Sequence, residues 1–99
     1  MNEERERMDK AFKQNEIAKA DNDKLSEALN LLKNAQTNIK ELSDYYFNQW
    51  FDDLEVLEKE GFSNGVMDQD TLYETIQNQY IIVKKLLLEC AMYINNDNF

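Results

Sequence analysis

The sequence predicts an all-α protein: a long antiparallel helical hairpin with a short third helix at the connection. Three observations lead there. The 99 residues include two Gly and no Pro, so almost nothing interrupts regular structure. Apolar residues recur at steps of three and four over two long stretches, the period of a helix face. Turn-forming residues gather in one place, "GFSNG" at 61–65, which leaves a sheet of hairpins without its turns. A chain of this length makes one domain, 1–99, and 42% hydrophobic residues can supply a core.

The first helix is expected over about 2–46. Asn2 can cap it, and Glu3, Glu4 and Glu6 suit the positive end of the helix dipole. Leu25, Leu29, Leu32, Ala35, Ile39, Leu42 and Tyr46 form its seam. Upstream the seam weakens to Met8 and Phe12, followed by Asn15, Ala18 and Asn22. "DND" at 21–23 is a place to fray or kink, but no Gly or Pro supports a break.

A short helix is expected over about 48–60. Phe47, Trp50, Phe51, Leu54 and Leu57 share one face. Gly61 can take the left-handed position after the last turn, with Phe62 packing back on Leu57, the contact of a Schellman cap. The third helix is expected over about 69–95. Asp68 is its N-cap, and Met67 with Leu72 makes a hydrophobic staple. Its seam reads Leu72/Tyr73, Ile76, Tyr80, Val83, Leu87, Cys90 and Ile94, with Cys90 a small inert hydrophobe. Fraying is expected at "NNDNF".

The stretch "DYYFNQWFDD", 44–53, is the most aromatic part of the chain. It falls where three helices meet, and large flat side chains fill such a gap with few voids. The first reading is therefore a core plug around Trp50, the second a partner-binding surface. A nucleic-acid stacking platform would need interleaved Lys or Arg, whereas the neighbours are Asp44, Asp52 and Asp53.

The string "ELSDYYFNQWFDDLEVLEKEG…GVMDQDTLYETI" resembles a family of small acidic bacterial proteins catalogued as domain of unknown function 4298. The likeness rests on "ELSDYY" closing the long helix, Trp50 followed by Asp52 and Asp53, the acidic short helix, and "GVMDQDTLY" opening the last. It covers about residues 38–80. The loop "EGFSNG" departs from the pattern, being shorter and without a Leu-Pro pair or basic residues. The resemblance implies an all-helical fold and supplies no activity or catalytic residues.

Twenty Asp and Glu against eleven Lys and Arg give a net charge of −9. That disfavours nucleic acid and anionic membranes and allows a basic protein partner. There is no His and one Cys, so the commonest general base is missing and no internal disulfide can form, which suits a reducing cytoplasm. The longest apolar stretch, "IIVKKLLLECAMYI", is too short and too charged to span a bilayer. Carboxylate pairs such as Asp52 with Glu55 read as a solvated face, and Asp68-Gln69-Asp70 lacks the Gly and distal Glu of a calcium loop. No catalytic residue, metal site or cofactor is expected.

The expectation is a non-enzymatic, cytoplasmic helical interaction or adaptor protein that forms a homodimer. Ile81, Leu88 and Met92 lie outside the core seam of the third helix, and Ile82, Leu86 and Tyr93 extend its other edge. An exposed stripe of this kind marks an interface. Met8, Phe12 and Ile17 of a second copy are candidates to cover it. Alternatively, the first helix bends at Asp21 and covers it within one chain. With Trp50, these residues make the candidate interaction set. A different reading is a partner protein of type VII secretion, which the chain resembles in size and in Tyr93-x-x-x-Asp97, a loose export signal. The Trp-x-Gly turn of those proteins is absent. An acidic mimic of DNA has only the net charge behind it.

Overall fold

The computed structural model describes residues 2–96. Three helices follow in order: α1 over Glu3–Asn48, α2 over Trp50–Lys59 and α3 over Gln69–Asn95. The fold is all-α, a long helical hairpin with the short α2 at its connection, and no strand occurs among the described residues. Among the described residues no helix is long and apolar enough to cross a membrane. Asp97, needed for the Tyr93-x-x-x-Asp97 signal, and the end of "NNDNF" lie outside the described residues.

The chain divides into two compact units, the first ending at Asn38 and the second beginning at Ile39. The first unit is helix alone. Its first backbone bond runs from the Glu6 amide to the Asn2 carbonyl at 2.9 Å, and Glu3, Glu4 and Glu6 occupy the first turn. The helix passes unbroken through Asp21, Asn22 and Asp23. Asp and Asn cost a helix interior only a fraction of a kcal/mol each, far less than the roughly 3 kcal/mol of Pro. Leu32 and Ala35 are half-buried, whereas Leu25 and Leu29 are exposed. Their shared face is helical in period, as expected, but this unit has no second element to pack against it.

The second unit holds the end of α1, all of α2 and α3, and the core. Trp50 and Leu72, each 3% exposed, are the buried hydrophobic side chains among the described residues. Trp50 opens α2, and its indole N–H donates to the Val66 carbonyl at 2.9 Å, which satisfies the one polar atom of the ring. The Tyr46 ring lies 5.4 Å from it and the Phe51 ring 5.2 Å, the latter nearly edge-on. In the same unit Ile39, Leu42, Tyr46, Leu54, Leu57, Met67, Ile76 and Val83 are half-buried.

Local signals set the connection. Gly61 has φ +75°. The Phe62 amide reaches the Leu57 carbonyl at 3.0 Å and the Gly61 amide the Glu58 carbonyl at 3.2 Å, the paired bonds of a Schellman cap. Gly61→Ala meets no neighbour, so only its backbone conformation resists. The expected loss is about 1–2 kcal/mol, read by chemical denaturation; an unchanged midpoint contradicts it. At the next helix the Asp68 carboxylate accepts the Asp70 amide at 3.0 Å, the expected N-cap bond.

The seam of α3 holds at Leu72, Ile76 and Val83, whereas Tyr73 and Tyr80, also expected on it, are exposed. Beyond Val83, Leu87, Cys90 and Ile94 are exposed, which corrects the expectation that they lie in the core. Period fixes which residues share a face, but burial also needs an element to cover that face.

Candidate functional site

Tyr45, Gln49 and Asp53 are spaced by four, one face of a helix. The structure places them across the one-residue break between α1 and α2, at Gln49 with φ −132°. Helical bonding carries over it: the Gln49 amide donates to the Tyr45 carbonyl at 2.9 Å, and the Asp53 amide to the Gln49 carbonyl at 3.2 Å. Asp53 clamps the break from the side. One carboxylate oxygen accepts the Tyr45 hydroxyl at 2.8 Å and the other the Gln49 amide group at 3.1 Å. The Gln49 and Tyr45 hydrogen bonds hold the Asp53 pKa below its ordinary 3.8. The hydrogen bond to Asp53 raises the Tyr45 pKa above its ordinary 10.0.

A lowered carboxyl pKa gives stability that is present above the ordinary value and lost as pH falls through the depressed one. A raised phenol pKa gives stability present below its ordinary value and lost as pH rises through the raised one. Asp53→Ala should therefore differ from wild type on the plateau between those limits and converge with it at both extremes. Thermal melts at pH 3, 7 and 11 check this. Solvent reaches the pair, so the plateau difference is small; a difference that persists undiminished at pH 3 contradicts the clamp.

Beside the junction, the end of α1 and the first half of α3 enclose an open groove of about 310 Å³. Ile39, Ile76 and Val83 supply apolar lining, and Lys40, Ser43, Asp44 and Gln79 supply polar groups. Ser43 has no His to activate it in this sequence. Asp52, Glu55 and Lys59 are exposed on α2. Among the described residues no three His, Cys, Asp or Glu side chains converge to hold a metal ion.

The candidate interaction residues separate by place. Met8, Phe12 and Ile17 lie in the first unit and are 63–72% exposed. Met8 and Phe12 are about 40° apart around the helix, with Ile17 about 180° from Met8, so the three do not form one stripe. Ile81, Leu88 and Met92 lie on α3, exposed, within about 40° of one another. Trp50 leaves the set. It is enclosed by its own chain and bonded through its indole to Val66, so the plug reading replaces the surface one.

Two features of this region were not read from the sequence. The Asp53 clamp was legible only as a four-residue spacing, which becomes informative once α1 and α2 are seen to be nearly continuous. The other is where the charge sits. Residues 41–74 hold ten of the twenty carboxylates and one of the eleven basic side chains, a balance of −9, while the rest of the chain carries ten of each. The whole net charge belongs to the helix junction.

The profile of the family described as "Domain of unknown function (DUF4298)" matches residues 6–88, more than half of the chain and well beyond the junction. No curated protein and no solved structure matches.

Proposed function

The chain belongs to the DUF4298 family, and from that premise we propose that it is a non-enzymatic interaction or adaptor protein that associates with itself. One observation carries the reading. From Tyr80 to Ile94, α3 exposes Tyr80, Ile81, Ile82, Leu86, Leu87, Leu88, Met92 and Ile94 at 47–69%, while Trp50 and Leu72 are the buried hydrophobic side chains among the described residues. A helix that is apolar almost all round is normally enclosed, and a contiguous exposed patch of this extent marks an interface. Met8 and Phe12 offer a second apolar surface for a copy of the chain or a different protein, and Ile17 a separate one on the opposite side of the helix. The acidic junction favours a partner with a basic face and disfavours nucleic acid or an anionic membrane. A cytoplasmic setting fits the lone Cys90.

Sedimentation equilibrium at micromolar concentration tests the reading. A mass above 11.8 kDa that rises with concentration supports self-association, and a strictly 11.8 kDa species overturns it. The non-enzymatic part predicts that magnesium, calcium and zinc leave the melting temperature unchanged, because a ligand bound by the native state must stabilise it. A saturable upward shift with one of them contradicts that part.

A further inference from the structure

We infer that α3 pairs with α3 of a second copy in an antiparallel, two-fold arrangement whose axis passes between Leu87 and Leu88. The inference rests on the self-association reading and adds the face, the register and the direction.

The face follows from where α3 already packs. Leu72, Ile76, Gln79 and Val83, its buried and half-buried positions after Thr71 in the first turn, fall within an arc of about 60°. Ile81, Leu88 and Met92 centre about 170° from that arc. They point away from the chain's own core and are exposed.

The register follows from length. Outside the core arc, exposed apolar side chains run from Tyr80 to near the end of the helix at Asn95. Two such segments running in opposite directions overlap fully only about an axis midway between those residues.

The direction follows from charge. Lys85 and Glu89 border the stripe, four residues apart on the same side of the helix. About that axis, Lys85 comes within one residue of lying opposite the partner's Glu89, and Glu89 of lying opposite the partner's Lys85. A parallel pair in register sets Lys85 and Glu89 of the two copies on opposite flanks of the contact, so the pairs between Lys85 and Glu89 do not form. It also brings together two junctions that each balance at −9. In the antiparallel pair, Glu74 lies about 40 Å along the axis from the partner's Glu74, at 1.5 Å per residue. That is several times the Debye length of about 8 Å at physiological salt, so the acidic ends do not feel each other.

The test is a distance between spin labels in the full-length chain. Cys90→Ser removes the native thiol, and Glu74→Cys places a nitroxide on an exposed position near the junction. Pulsed dipolar spectroscopy should give a mean separation near 40 Å. A separation under about 20 Å, as in a parallel pair of helices 8–10 Å apart, overturns the direction while leaving self-association standing. A species of 11.8 kDa with no dipolar coupling overturns both. Charge exchange gives a readout that does not depend on the labels. Lys85→Glu should weaken the dimer about tenfold, since two ion pairs become two repulsions. Adding Glu89→Lys should restore it, because the pairs re-form with their signs reversed. Failure of the double variant to recover overturns the register.

Discussion

Trp50→Ala is expected to destabilise the fold by about 3–5 kcal/mol, the range for deleting a buried large aromatic. The effect is large here because the core is small. Among the described residues Trp50 and Leu72 are the buried hydrophobic side chains, and small domains have only about 5–15 kcal/mol in total. Three losses coincide. The indole leaves a cavity, the Val66 carbonyl loses its donor at 2.9 Å, and the rings of Tyr46 and Phe51 lose the face and edge they pack on. The melting temperature should fall on the order of 20 °C, taking about 4–8 °C per kcal/mol for a domain of this size. Circular dichroism is the measurement, since the variant has no tryptophan left to follow. A melting temperature within a few degrees of wild type would show that the junction does not depend on its plug.

Leu88→Asp should act the other way round, with little effect on the isolated chain and a large effect on assembly. The side chain is exposed within one copy, and a surface substitution usually changes stability by no more than about 0.5 kcal/mol. At a two-fold interface the same change buries an unpaired carboxylate in each copy. Removing the partner of a buried charge costs about 3–5 kcal/mol, so the dissociation constant should rise by at least about a hundredfold. Sedimentation should then report 11.8 kDa at concentrations where wild type is larger. A variant that still assembles with wild-type affinity would place the interface elsewhere.

The helix caps, carried by neighbouring residues, were the most legible features. Gly61 with Phe62, and Asp68 ahead of α3, specify their caps through backbone chemistry that needs no distant partner. Trp50 was legible as a plug because its aromatic neighbours lie at a forced meeting of helices. The break at Gln49 was less so. No Gly or Pro marks it, the hydrogen bonding hardly changes across it, and its position depends on how Trp50 is inserted against Val66 some sixteen residues on. Leu87, Cys90 and Ile94 show a further limit. Their spacing continues the seam of Leu72 and Ile76 without a flaw, yet they are exposed, because spacing along one helix carries no information about whether another element covers that face.

The position of the one tryptophan has a spectroscopic consequence. Its fluorescence comes wholly from the second unit, where the ring is shielded from water. Far-ultraviolet ellipticity comes from every helical turn, including the long run of α1 before Ile39, along which no side chain is buried. The two signals therefore weigh the chain differently. A segment without buried contacts opens at lower free energy than one with a core, so ellipticity should begin to fall on heating while the emission maximum still reports an intact junction. Two curves that do not superimpose are the signature of unfolding that is not two-state. For this chain a single melting temperature is then a property of the probe chosen, and the emission of Trp50 is the one that follows the core.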